Sequence, residues 1–146
     1  NKWDMLLSQG RRLWGFANDD AHFWREENRQ PGISDTGVGW NVVYADSSTP
    51  EDIVTSLQNG RFYCSTGVVI KTIKVEGLEI IIECENASRI VGITRNGQRV
   101  ALSDNGSIKV DVSKDENWPP MSGYLRFECW GEGEKNAWTQ PFFLDE

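Results

Sequence analysis

From residue 61 onward, apolar and polar residues alternate with a period of two. Leu78, Ile80, Ile82 and Cys84 alternate with Glu79, Ile81, Glu83 and Glu85. Ile108, Val110 and Val112 alternate with Ser107, Lys109 and Asp111, and Leu125, Phe127 and Cys129 with Arg126, Glu128 and Trp130. Successive side chains of a strand point to opposite faces, so this spacing gives each strand one core face and one wetter face. Two Asn-Gly pairs, Asn96-Gly97 and Asn105-Gly106, fall between β-like runs. Asn-Gly is the strongest short hairpin signal, because both residues tolerate positive φ. Strands near residues 90–95, 98–102 and 107–112 are therefore expected to form a meander. Trp138, Phe142 and Leu144 supply a last strand, which Pro141 places at an edge or a bulge. About six or seven antiparallel strands over residues 61–146 predict a mainly β chain, an antiparallel β-sandwich.

The first sixty residues read differently. Residues 2–9 have helical spacing, with Trp3, Leu6 and Leu7 on one face and Gly10 as the stop. After Arg11 and Arg12 comes an apolar run, Leu13-Trp14-Gly15-Phe16-Ala17, which reads as a short buried strand. It ends at Asn18-Asp19-Asp20, followed by His22, the one histidine of the chain. Helix, short loop, strand and functional loop is the order of one unit of a β/α barrel, where active-site side chains gather at the carboxyl ends of the strands. A carboxylate and an imidazole two residues apart, Asp20 and His22, can face one hard-to-borderline metal ion. The plainer reading makes Asp20 a turn residue and His22 a solvated loop residue. A catalytic metal site takes three or more protein ligands, so most of such a site would lie outside these residues. Residues 39–45 have β character through Trp40, Val42, Val43 and Tyr44. Thr49, Pro50, Glu51 and Asp52 then form a strong helix start, with Ile53, Val54 and Leu57 as its apolar stripe and Gly60 as its end.

The formal charge of −7, with no stripe of Lys and Arg, argues against nucleic-acid binding. No run of about 18 apolar residues spans a membrane. No signal peptide is visible; location stays open, with the cytoplasm favoured. Cys64, Cys84 and Cys129 fall on expected strands without Cys-x-x-Cys spacing, which reads as buried free thiols, or as one disulfide and one free thiol in an exported protein. Ser65, Thr66 and Cys64 have no histidine but His22 to act as base, so a Ser or Cys nucleophile is not expected. Gly67 is better suited to a turn than to a phosphate loop, since the Gly-x-x-x-x-Gly-Lys pattern is missing.

Trp3-Asp4, Leu6-Leu7, Gly10-Arg11, Leu13, Gly15-Phe16-Ala17 and Asp19-Asp20-Ala21-His22 together resemble the last strand-loop segment of PHP-domain (polymerase and histidinol phosphatase) metallohydrolases. The resemblance continues through Gly39-Trp40, Val42-Val43, Thr49-Pro50-Glu51, Ile53, Gly60-Arg61-Phe62-Tyr63 and Ser65-Thr66-Gly67, and ends at Ala137-Trp138-Thr139 and Pro141-Phe142. That succession is similar to the carbaryl-hydrolase-like branch, in which a small β domain follows the barrel. Residues 68–122 match only in pattern. The His-x-His and the further ligands of the earlier barrel strands are missing here.

The resemblance implies a C-terminal portion of a metal-dependent hydrolase of the phosphoesterase kind. Residues 1–60 would be the end of the barrel and residues 61–146 an appended β-sandwich. Asp20 and His22 would be two ligands of a divalent metal centre of zinc, manganese or iron, which lowers the pKa of water and polarises the electrophile. The partners implied are the N-terminal barrel segment of the same protein and a small phosphoester or ester substrate, with no nucleic acid and no membrane. Alone, the 146 residues are expected to hold metal weakly and to hydrolyse nothing. The other function class is a non-catalytic β-sandwich module that binds carbohydrate or protein, with Trp118, Tyr124 and Trp130 as an aromatic platform.

Overall fold

The alternating strands assemble into two antiparallel sheets that face each other across a shared apolar core. The structure, a computed structural model, describes residues 1–21, 36–113 and 121–144. Its elements in order are α1 (Lys2–Ser8), β1 (Trp40–Val43), α2 (Pro50–Gln58), β2 (Phe62–Ser65), β3 (Ile70–Glu76), β4 (Glu79–Cys84), β5 (Ala87–Thr94), β6 (Gln98–Ser103), β7 (Ser107–Asp111), β8 (Tyr124–Gly131), β9 (Asn136–Thr139) and β10 (Phe142–Phe143). The larger sheet has the order β1-β2-β9-β8-β5-β6, with β10 also on β8; the smaller has the order β3-β4-β7. The chain is mainly β, with a short helical arm.

The period-two pattern decides which face meets the core. Ile80 and Ile82 of β4 and Ile108 and Val110 of β7 point inward from the small sheet. Ile90, Leu125, Phe127, Cys129 and Ala137 meet them from the large sheet. Glu79, Ile81 and Glu83 lie on the other face of β4. At roughly 1.5–3 kcal/mol for each fully buried aliphatic or aromatic side chain, this layer is the largest favourable contribution to the fold.

The two Asn-Gly pairs act differently. Asn96 (φ 60°) and Gly97 (φ 72°) close the β5–β6 hairpin as expected. Asn105-Gly106 does not continue a meander: β7 leaves β6 and pairs with β4 in the other sheet. The Asn105 side chain accepts from Ser103 Oγ (2.7 Å) and from the Ser107 amide (3.2 Å), and the Gly106 carbonyl accepts from the Cys84 amide (2.8 Å). A tight reversal fixes direction only. Ile108 and Val110 find their burial against Ile80 and Ile82, and that sends β7 across the core.

Pro141 marks a bulge. Trp138 faces Glu128 while Phe142 faces Leu125, so one extra residue lies on the β9–β10 side. Within that gap the Phe127 amide is satisfied by the Thr139 hydroxyl at 3.0 Å.

Both helices have sequence-coded ends. Thr49 accepts from the Asp52 amide at the start of α2. At its end the Gly60 amide bonds to the Leu57 carbonyl and the Arg61 amide to Ser56, with Gly60 at φ 69°. This is the Schellman arrangement, and it needs the left-handed conformation that glycine adopts without strain. The apolar stripe of α2 is turned from the expected one: Val54 is exposed, Ser56 is buried, and Ile53 and Leu57 are half-buried.

Helix α1 lies on the outer face of the large sheet, over β8. Its Asp4 accepts from Arg126 Nε (2.8 Å), Arg126 Nη2 (2.7 Å) and the Tyr124 hydroxyl (2.8 Å). The Trp3 ring stacks on the Arg126 guanidinium at 5.1 Å. Tyr124 is thus buried under the arm rather than displayed on an aromatic platform; Trp118 lies outside the described residues.

Candidate functional site

The apolar run at residues 13–17 was expected to be a buried strand, yet it joins neither sheet, and Leu13 and Phe16 are exposed. Its backbone is instead held by side chains. The Trp3 indole donates to the Leu13 carbonyl at 3.1 Å. The Gln140 amide accepts from the Gly15 amide (2.9 Å) and donates to its carbonyl (2.8 Å). Asn41 does the same for Ala17, at 3.0 Å and 2.8 Å. A carboxamide has one acceptor and one donor side by side, so it can copy the edge of a neighbouring strand. Residues 13, 15 and 17 are bonded through the main chain, and the segment is strand-like without a strand beside it.

The aromatic residues fix its height over the sheet. Trp14 donates to the Gln58 carbonyl at 2.9 Å and so takes one of the unpaired carbonyls at the end of α2. Phe16 packs on Phe62, with ring centroids 4.6 Å apart. Gly15 lies under Trp3, where a Cβ would come within 2.8 Å of the indole, so only glycine allows this approach.

The segment ends in a tight polar turn. Asn18 Oδ1 accepts from the Asp20 amide at 3.0 Å. Asp19 accepts from the amides of Ala21 and Gly37. Asp19 is therefore the residue that organises the turn and ties it to the approach of β1. Asp20 has φ 51°, a left-handed conformation that Asp adopts more readily than most residues, and its side chain is exposed. His22 lies outside the described residues, so the expected Asp20–His22 pair is described only at Asp20. Among the described residues, no group of three or more His, Cys, Asp or Glu side chains converges as a metal site.

Cys64 lies behind this segment. Its thiol donates to the Gly15 carbonyl (3.0 Å) and to Asn41 Oδ1 (3.3 Å). Burial pushes the thiol up from its ordinary range, which agrees with the sequence reading of an inert cysteine. Ser65 is likewise structural: it donates to the Val68 carbonyl (2.7 Å) and accepts from the Gly67 amide (2.9 Å), which makes the turn into β3.

A groove of about 700 Å³ opens between the β1–β2 edge of the large sheet and β3 of the small one. Trp14, Tyr44, Arg61, Tyr63, Lys71 and Gln140 line it. Arg61 stacks on the Tyr44 ring at 5.0 Å and pairs with Asp46 at 3.2 Å; Lys71 pairs with Glu85 at 3.6 Å. The cations at its rim are thus largely balanced by local carboxylates. Sequence reasoning did not find Asn41, Gln140 or Asp4, because each is defined by a partner far away in the chain.

Comparison with known proteins finds no match: no family model, no curated protein and no solved structure matches the chain.

Proposed function

We propose that this chain supplies Asp20 and His22, the final ligand pair, to a PHP-type divalent-metal hydrolase, and that its β-sandwich is the accessory domain of that enzyme. The observation that carries this reading is the uncovered apolar segment leading into the Asn18–Asp20 turn. Leu13, Phe16, Val38, Trp40, Val42 and Tyr44 are all exposed around it. Among the described residues, eight of the thirteen exposed large hydrophobic side chains fall within residues 1–60. A strand-like segment with exposed Leu and Phe is what the last strand of a barrel looks like without its neighbours.

An exposed carboxylate at a tight turn, with an imidazole two residues on, suits zinc, manganese or iron. Such a metal acts as a Lewis acid toward a phosphoester or ester. Asp19 would hold the turn rather than the metal, and Asn41 and Gln140 would fix the height of the segment. Two ligands are fewer than a catalytic centre takes, so the remaining ligands would come from residues outside these 146.

The test is made on the whole natural protein. Asp20→Ala and His22→Ala should each lower bound metal and abolish hydrolysis of p-nitrophenyl phosphate or an aryl ester, with the far-ultraviolet β signal unchanged. Unchanged metal content and activity in both variants would remove the assignment. The groove beside Tyr44 favours a second reading, a module that binds carbohydrate or protein. That reading requires the isolated chain to retain a ligand, and loss of binding in Tyr44→Ala would support it.

A further inference from the structure

A third Asn-Gly pair, Asn59-Gly60, ends α2, beside Asn96-Gly97 in the β5–β6 hairpin and Asn105-Gly106 in the crossover from β6 to β7. In an Asn-Gly pair the glycine nitrogen can attack the asparagine Cγ, since no Cβ on the glycine shields it. The five-membered ring closes only when that nitrogen lies on the same side as the asparagine Cβ. At Asn59 ψ is 6° and at Asn96 it is 19°, which turns the following nitrogen toward the residue's own amide and away from Cβ. The Gly60 amide is also bonded to the Leu57 carbonyl at 3.2 Å, and Asn59 Nδ2 donates to the Thr55 carbonyl at 2.8 Å. The Asn96 amide donates to Ser8 Oγ at 2.8 Å, and the Asp4 carboxylate stands beside Gly97, where it opposes loss of that nitrogen's proton.

Asn105 is held otherwise. It is exposed, and its Oδ1 accepts from Ser103 Oγ (2.7 Å), the Ser107 amide (3.2 Å) and Ser107 Oγ (3.3 Å). The bond to the amide two residues on folds the carboxamide back along the Gly106 peptide. Donors gathered on one carbonyl oxygen draw electron density from Cγ and stabilise the charge that an attack there places on Oδ1.

We propose that Asn105 is a site of spontaneous deamidation, reacting with Gly106 and water, and that the fold confines the reaction to this pair of the three. The Gly106 nitrogen loses its proton to hydroxide and attacks Cγ. A Cγ–N bond forms and closes a cyclic imide, the bond from Cγ to Nδ2 breaks, and ammonia leaves with a proton taken from water. Water then opens either imide carbonyl and gives aspartate or isoaspartate. The sum is amide plus water to acid plus ammonia, with nothing oxidised or reduced. The isoaspartate product runs the main chain through the former side chain and adds a methylene to the crossover. Next to it lies the Gly106 carbonyl, which takes the Cys84 amide at 2.8 Å and ties the start of β7 to β4.

The experiment incubates the intact chain in heavy-oxygen water at pH 8, with and without urea, and maps the peptides by mass over time. In the folded chain heavy oxygen should enter the Asn105 peptide, as separable aspartate and isoaspartate forms, while the Asn59 and Asn96 peptides keep their amides. In urea all three pairs should convert at similar rates, which assigns the selectivity to the fold. Ser103→Ala combined with Ser107→Ala should slow the folded-state conversion several-fold, and the isoaspartate form should melt at a lower Tm than the parent. Asn59 or Asn96 converting as fast as Asn105 in the folded chain would overturn the proposal. So would an Asn105 that stays intact when folded while it converts in urea, or an unchanged rate in the double serine variant.

Discussion

Asp4 and Arg126 form a two-pronged ion pair at which both residues are almost entirely buried, 3% and 1% exposed. Arg126 Nη1 makes a further bond to Glu128 at 2.9 Å. The pair joins α1 to the middle strand of the large sheet across more than 120 residues of chain. Removing one partner of such a pair costs more than removing both, because a buried charge is left uncompensated. Asp4→Ala is therefore expected to destabilise the protein by about 3–5 kcal/mol, with the undocking of α1 as the ceiling. Urea denaturation gives the total, and hydrogen exchange of the α1 amides shows whether the helix leaves the sheet. Asp4→Leu combined with Arg126→Met should cost less than Asp4→Ala alone; a larger loss in the double variant would contradict the account.

The same cluster sets the pH response at both extremes. Burial alone would raise the Asp4 carboxyl, but the hydrogen bonds from Arg126 and Tyr124 outweigh it and hold the group below the ordinary aspartate value. A depressed folded value gives stability that is present above the unfolded value, about 3.9, and that is lost as pH falls through the folded one. From about pH 5 to pH 3, the parent should lose stability more steeply than Asp4→Asn. Tyr124 behaves oppositely. Burial, and then its hydrogen bond to Asp4, push its phenol up to about 12. Its contribution is whole below about pH 10 and is lost as pH rises through about 12. Tyr124→Phe should flatten the alkaline limb of the stability curve, and absorbance near 295 nm should show one fewer late-titrating phenol; an unchanged alkaline limb would contradict the burial argument.

The side-chain amides that hold residues 13–17 give a separate expectation. Asn41→Ala leaves the Ala17 amide and carbonyl without their partner and removes an acceptor of the Cys64 thiol. Each lost hydrogen bond is worth about 1 kcal/mol, so the loss should be about 1–2 kcal/mol, with faster exchange at the Ala17 amide. Asn41→Asp retains the acceptor but not the donor, and should protect the Ala17 amide while freeing its carbonyl. Equal exchange at Ala17 in the parent and in Asn41→Ala would show that the segment is held by something else.

Much of this architecture was legible in the sequence because it is coded locally. Helix caps at Thr49 and Gly60, the inward faces of β4, β7 and β8, the Asn96-Gly97 hairpin and the bulge at Pro141 each need only a few adjacent residues. Other features need a distant partner. Asp4 reads as an ordinary acidic residue in the first turn of a helix until Arg126 is brought beneath it. Asn105-Gly106 signals a reversal equally well within one sheet or between two, and only the packing of Ile108 and Val110 decides. Residues 13–17 have strand composition, but a ladder requires a neighbouring strand, and Asn41 and Gln140 supply its hydrogen bonds instead. The Asp-x-His spacing stays a reading of the sequence, since His22 lies outside the described residues, and the role of Asp19 in tying the turn was not legible at all.

The two-sheet core suggests how far the β part can stand alone. Ile80, Ile82, Ile108, Leu125 and Phe127, which fill the layer between the sheets, all lie within residues 61–146. Without the arm, Arg126 and Tyr124 meet water rather than an empty socket, so their loss of Asp4 is softened by solvation. A chain of residues 61–146 should therefore unfold cooperatively in urea, at a lower midpoint than the 146-residue chain. Loss of β1 creates a new problem: β2, whose four residues are all buried, becomes an edge with an open row of backbone donors and acceptors. Such edges pair with copies of themselves. Sedimentation should show concentration-dependent association of the short chain, relieved by Tyr63→Pro, which removes an amide from that edge. A featureless, non-cooperative transition would mean that the sandwich requires the arm for its core and not merely for its edge.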